Sequence, residues 1–156
     1  MLLRKATLLD TEEMMELINH QAGLGLMLPR SRNMLYENIR EFVLVEEAGK
    51  IVGVGGLHIM WHDLAEIRAL AIAPEYQRQG LGRKIVEALI DEAQQLKCIN
   101  VFVLTYQPDF FKKLGFEIVE KEKMPTKVWK ECINCVKFPN CDEVPLMRSV
   151  EKKEVL

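Results

Sequence analysis

Residues Glu66 to Ile90 read EIRALAIAPEYQRQGLGRKIVEALI. Glu66 to Ala73 is short, apolar and bounded by Pro74, so it reads as a strand. Gln77-Arg78-Gln79-Gly80-Leu81-Gly82 follows, and beyond it Ile85, Val86, Leu89, Ile90 and Ala93 fall at helical spacing. The stretch is therefore strand, glycine-containing turn, helix. Glycines let a backbone approach a ligand closely, and the first N–H groups of a helix have no intrahelical partner. With the positive end of the helix dipole they suit a phosphate or pyrophosphate, and Arg83 and Lys84 add counter-charge. Neither GxGxxG nor GxxxxGK[ST] is present. What remains is Gln-x-x-Gly-x-Gly, which on its own is either a pyrophosphate loop or an ordinary tight turn.

Upstream, Leu2 to Ala6 reads as a first strand. Asp10 precedes Glu13 by three, a capping-box pattern, and Met14, Leu17 and Ile18 form a helical stripe after it. Gln21 to Pro29 has two glycines and no clean period, so it reads as an apolar loop. Ser31 caps a second helix with Leu35, Tyr36 and Ile39 facing inward. Phe42 to Glu46 and Ile51 to Met60 form a hairpin around Ala48-Gly49, and Leu64 to Ala73 is the next strand. Downstream come the helix from Gly82 to Leu96, a buried strand from Ile99 to Leu104, and a short helix opened by Asp109 and ended by Gly115. Phe116 to Val119 returns as a strand, Lys127 to Cys132 is a helical turn, and Val144 to Met147 is a last edge strand. The expected architecture is one mixed α/β sheet flanked by helices. Residues 1–150 form one domain, and residues 151–156 a charged tail.

The 156 residues suffice for a single core, and 49% hydrophobic against 28% charged residues is an ordinary globular balance. A net charge of -2 gives no basic footprint for nucleic acid. No apolar run approaches the ~20 residues that cross a bilayer, and MLLRKATLLD is not a secretory signal, so the expected compartment is the cytoplasm. Cys132-x-x-Cys135-x5-Cys141 has zinc-ligand character if a fourth ligand such as Asp142 or Glu143 joins it. The alternatives are a redox pair or free thiols in a small C-terminal cap, whereas Cys98 reads as a core residue.

The Gln-x-x-Gly-x-Gly loop and the later segment Phe110-Phe111-Lys112-Lys113-Leu114-Gly115-Phe116 together resemble the GNAT acetyltransferase superfamily. The resemblance implies the GNAT fold, a central mixed twisted sheet, with acetyl-CoA as the acetyl donor. It implies that acetyl-CoA lies along Leu70, Ala71 and Ile72, over Gln77, Arg78, Gln79, Gly80, Leu81, Gly82, Arg83 and Lys84, and beside Phe110 and Phe111. Many members carry Tyr where this chain has Phe111, which has no proton to give a departing thiolate. Thr105 and Tyr106, just past the next strand, are the remaining hydroxyls, although Tyr106 also reads as a pocket-wall aromatic.

Leu28-Pro29-Arg30-Ser31-Arg32, Ala65-Glu66-Ile67-Arg68-Ala69-Leu70-Ala71 and Pro125-Thr126-Lys127-Val128-Trp129 further resemble the short form of the amino-acid acetyltransferases that make N-acetylglutamate, the first step of arginine biosynthesis. The long form carries an amino-acid-kinase-like domain not found in this sequence, which implies no arginine feedback at such a domain. The resemblance casts Glu66 as general base and Arg30, Arg32, Arg68 and Lys127 as cations for a dicarboxylic amino acid. Glu66 and Arg68 share strand parity, so they face one way and also suit a plain ion pair. His58 and His62 flank Trp61, and His62-Asp63 reads as a hydrogen-bonded turn in preference to a catalytic pair. Other acceptor amines, a protein N-terminus included, stay open, as do a non-catalytic acetyl-CoA-binding domain and a homodimer.

Overall fold

Ala48 and Gly49 both take positive φ, +51° and +78°. A turn of that hand matches strand twist, so it joins β2 (Phe42–Glu47) tightly to β3 (Lys50–Trp61) as the sequence implies. The computed structural model describes residues 1–25, 27, 29–120 and 143–151. The other strands are β1 (Leu2–Lys5), β4 (Leu64–Ile72), β5 (Asn100–Thr105), β6 (Glu117–Ile118) and β7 (Val144–Ser149). They form one seven-stranded sheet in the order β1-β2-β3-β4-β5-β7-β6. Among the described residues only β4 and β5 run parallel, so the sheet is mixed as expected.

The helix α3 (Leu81–Gln95) covers one face with Leu81, Ile85, Val86, Leu89, Ile90 and Ala93, all buried. Beneath it lie Val43, Val45, Val52, Leu57, Ala65 and Ile67, with Cys98 in the same cluster. Glycine lets the helix sit close: a Cβ at Gly55 would come within 2.7 Å of Ile85 Cγ2. The opposite face is covered by α1 (Thr11–Gly23) and α2 (Arg32–Glu37). Their Met14, Ile18 and Leu35 pack on Phe42, Leu44, Val54, Ala69 and Ala71.

Four expectations change. Gln21, Ala22 and Gly23 belong to α1, not to a loop, and the chain turns at Gly25 with φ +76°. Gln21 is buried at 5% exposure because its Nε2 donates to the Ile72 carbonyl at 3.2 Å. Tyr36 is exposed; α2 turns inward on Leu35, while Ser31 caps it by accepting from the Met34 N–H at 3.1 Å. β7 is not an edge: it runs between β5 and β6, and β6 is the rim among the described residues. Pro145 is tolerated there because β6 reaches only Leu146, while Val119 N–H donates to the Pro145 carbonyl at 3.0 Å.

Asp10 does not cap with Glu13. Its carboxylate turns back to the Thr7 N–H at 2.7 Å and takes two bonds of 2.8 Å from Arg4, whose Nη2 also reaches Glu46 at 2.7 Å. Glu13 instead accepts from the Ile51 N–H at 3.2 Å. The Arg4 guanidinium holds the Asp10 carboxyl down at about 2, below its ordinary 3.8. A lowered folded-state value stabilises above the ordinary one and is lost as pH falls through the folded one, by roughly 2 kcal/mol here. Urea midpoints of Asp10→Asn should therefore sit below those of the native chain at neutral pH and converge with them as pH falls from 3.8 towards about 2. Parallel curves would show that the pair contributes nothing.

Candidate active site

β4 opens the sheet. It pairs with β3 along its length but with β5 only at Leu64, Ala65 and Glu66, opposite Asn100, Val101 and Phe102. Beyond Glu66 the two strands part, and the β5-facing edge of β4 from Ile67 to Ile72 has no strand partner among the described residues. The pleat breaks within the same run. Between Val54↔Ala71 and Gly56↔Arg68, β4 carries one residue more than β3, and Ala69 takes φ +54°. This bulge puts Ile67 and Leu70, three apart, on the α3 side, while Ala69 and Ala71 join the α1 side.

At the wide end of the wedge lies the glycine loop. Arg78 and Gly80 take φ +63° and +80°, and Gly80 is the N-cap of α3. The first bond of the helix is Lys84 N–H to the Gly80 carbonyl at 3.1 Å, leaving the N–H groups of Leu81, Gly82 and Arg83 with no intrahelical acceptor. Gln77, Arg78, Gln79 and Gly80 are exposed; Leu81 is buried as a core anchor. Gln77 and Gln79 brace the loop through the Ile72 and Glu75 carbonyls at 3.4 and 3.2 Å. Arg83 pairs with Glu87 on the helix surface at 2.9 Å. Gly82 faces Phe110, whose ring carbon would lie 3.1 Å from a Cβ placed there. The ring brought to the loop is thus Phe110. Phe111, assigned with it to the cofactor, is a core residue at 3% exposure, edge-on to Phe116 at 5.4 Å in α4 (Pro108–Lys112) and its sequel.

Thr105 and Tyr106 stand at the end of β5, three residues past Phe102 and so about 10 Å beyond the parting point. Thr105 Oγ1 accepts from the Gln107 N–H at 2.9 Å, which leaves its own O–H to donate.

On the α1 side of the wedge a recess of about 290 Å³, its open mouth included, is lined by Arg30, Met34, Leu35, Asn38, Glu41, Phe42, Gly56 and Arg68. Arg68 Nε donates to Glu66, and its Nη2 touches Met60 Sδ at 3.7 Å. The sequence reading allowed that ion pair, and the structure contains it. Asn19 clamps the Arg30 backbone through bonds of 2.9 and 3.2 Å. The Arg30 Nε is buried with no hydrogen-bond partner among the described residues. Burial first, and then Arg68, pulls the Arg30 guanidinium below its usual range, against Glu66, Glu41 and Glu143. Arg32 is not brought in: it pairs with Glu12 on the exposed surface. Lys127 and the three cysteines 132, 135 and 141 lie outside the described residues; among those described no cluster fits a metal ion.

His58 was not foreseen in this site. Its Nδ1 lies 2.9 and 2.8 Å from the two oxygens of Glu41. The signal was available in the strand period, which sets His58 on the face of Gly56. His62 and Asp63 form the turn between β3 and β4, as expected.

A sheet parted beside a glycine-capped helix, with a cationic recess at the fork, defines a class. The chain belongs to the acetyltransferase (GNAT) family, whose profile matches residues 11–116. It is an N-acetyltransferase that uses acetyl-CoA. An uncharacterised N-acetyltransferase of Chlorobaculum tepidum is 35% identical over 147 residues, covering 94% of this chain and 95% of that one. An amino-acid acetyltransferase of Mycobacterium tuberculosis is 36% identical over 131 residues, 82% of this chain and 75% of that one. Among solved structures, a Mycobacterium tuberculosis protein in complex with CoA superposes with TM-score 0.84 at 30% identity, over 96% of this chain and 99% of that one. The N-acetylglutamate synthase of Neisseria gonorrhoeae, complexed with coenzyme A and N-acetyl-glutamate, gives TM-score 0.88 at 25% identity, over 97% of this chain. This chain spans 35% of that enzyme's length. Among the described residues no helix is long and apolar enough to cross a membrane.

Proposed function

We propose that this chain acetylates the α-amine of L-glutamate, giving N-acetylglutamate and free coenzyme A, as the first step of arginine biosynthesis in the cytoplasm. One observation carries the reading: the partly buried Arg30 side chain, whose buried Nε has no partner among the described residues, beside Arg68. Two cations in a recess call for an anionic acceptor, and arginine grips a carboxylate with two parallel bonds. Arg30 takes the side-chain carboxylate and Arg68 orients the α-carboxylate, with Lys127 a further cation.

Glu66, at the last paired position before the wedge, receives the proton that the α-ammonium must lose, directly or through water. The free amine attacks the thioester carbonyl, the C–N bond forms and the C–S bond breaks, without an acyl-enzyme. The Thr105 or Tyr106 hydroxyl donates to the leaving thiolate. The open edge of β4 supplies backbone groups for the amides of the coenzyme arm, and the loop Gln77–Gly82 with Lys84 holds its pyrophosphate. The Neisseria gonorrhoeae likeness supports the choice of glutamate.

The test is thiol release from acetyl-CoA with glutamate, aspartate, glutamine, lysine, spermidine or no amine. Glutamate should exceed every other amine by about tenfold or more in kcat/KM, one methylene being worth ~1–3 kcal/mol in a fitted pocket. Preference for another amine overturns the glutamate assignment and keeps the acetyl donor.

A further inference from the structure

The register of β3 on β4 sets His58 directly opposite Glu66. Gly56, His58, Glu66 and Arg68 share the recess face. A ring nitrogen facing both oxygens of a carboxylate is a donor, so His58 Nδ1 carries the hydrogen and Nε2 is the nitrogen that accepts a proton. Glu41, which holds it, itself lines the recess with Arg30 and Arg68. One recess carboxylate is thus held by a guanidinium and another by an imidazole, and the two pairs are cross-strand neighbours. Their access to water differs. The Glu66 side chain is 12% exposed and the His58 side chain 26%, so the imidazole is the more open of the two.

Resting on the acetyl-transfer reading above, we propose that His58, oriented by Glu41, is a proton relay that takes the proton from Glu66 and hands it to solvent. The acceptor's N–H bond breaks as an O–H bond forms on Glu66. That O–H bond then breaks as the Nε2–H bond of His58 forms. The imidazolium faces the Glu41 carboxylate, loses its proton to water, and the pair is restored with no change of oxidation state. His58 is a positioning residue, since it acts through Glu66. The charges around it are Glu41 from the turn Ile39–Glu41, and Glu66 and Arg68 from β4. Among the described residues Arg30 ahead of α2 and Glu143 ahead of β7 join them around the recess.

The experiment records kcat and KM against pH at saturating acetyl-CoA for the native chain, His58→Gln and Glu41→Gln. It uses glutamate, or whichever amine gives release. His58→Gln should lose about ten- to a hundredfold in kcat, the lower range for a proton-transfer group, with KM within twofold and the acid limb of the kcat profile abolished. Glu41→Gln should lower kcat with KM within twofold, because the imidazole loses the carboxylate that orients it. A His58→Gln profile that superimposes on the native one, or a loss confined to KM, overturns the relay. If His58→Gln fails to fold, a native kcat in Glu41→Gln overturns it equally. Native release with an amine other than glutamate sinks only the glutamate reading, and no release with any amine sinks both.

Discussion

Glu66→Gln is expected to lower kcat with glutamate by about 10²–10³-fold while the Kd for acetyl-CoA stays within twofold. The amide keeps an oxygen for Arg68 Nε, so the pair loses its charge and not its geometry. What disappears is the proton acceptor at the fork of β4 and β5. The coenzyme contacts proposed above lie further along, on Leu70 to Ile72 and on the loop to Gly82, where this substitution reaches nothing. Stopped-flow release and calorimetric binding separate the two effects. A kcat within threefold of native, with a normal melting temperature, would remove Glu66 from the mechanism and leave the proton to pass straight to water or His58.

Arg30→Met is expected to raise the KM for glutamate by about a hundredfold, the worth of two charge-assisted bonds, at 1.4 kcal/mol per factor of ten, with kcat changed by less than threefold. Its effect on stability should run the other way. Arg30 is partly buried beside Arg68, and its buried Nε has no partner among the described residues, so an apolar side chain of similar length removes a desolvated, unpaired donor. The urea midpoint should hold or rise. Arg32→Met is the matched control. Its guanidinium is engaged by Glu12 on the exposed surface, so KM should stay within twofold. Equal losses at both positions would show that the recess merely gathers charge and does not read a carboxylate.

Local chemistry was legible wherever a few adjacent residues dictate the backbone. Ala48-Gly49 made the hairpin, Ser31 the cap, and Gly80 the entry to α3. Gly115, with φ +89°, ended the short helix α4 and its last turn. The misses share a cause, since each was settled by a partner distant in sequence. Gln21 is polar and reads as loop, yet the Ile72 carbonyl satisfies it inside the core. Asp10 was drawn from its helix by Arg4. β7 reads as an edge because of Pro145, but its place depends on where β6 stops. Within the candidate site, the shared face of Glu66 and Arg68 followed from strand parity. The Glu41–His58 pair did not, because the strand period sets the face of His58 but carries no sign of the carboxylate seventeen residues earlier.

The extra residue in β4 behaves like a shifted reading frame. Up to Ile67 one parity of the strand feeds the α3 core; from Leu70 onward the other parity does. Were Ala69 pleated in turn instead of bulged, with no residue lost, Leu70 and Ile72 would turn away from Ile85 and Leu89. Ala71 would come round to face the helix in their place. Insertion of one residue, pleated in the ordinary way, would have the same effect. Between Arg68 and Pro74 the spacing is therefore under tighter constraint than the lettering: apolar residues can be exchanged there at modest cost, whereas one added residue would reverse which of them face α3.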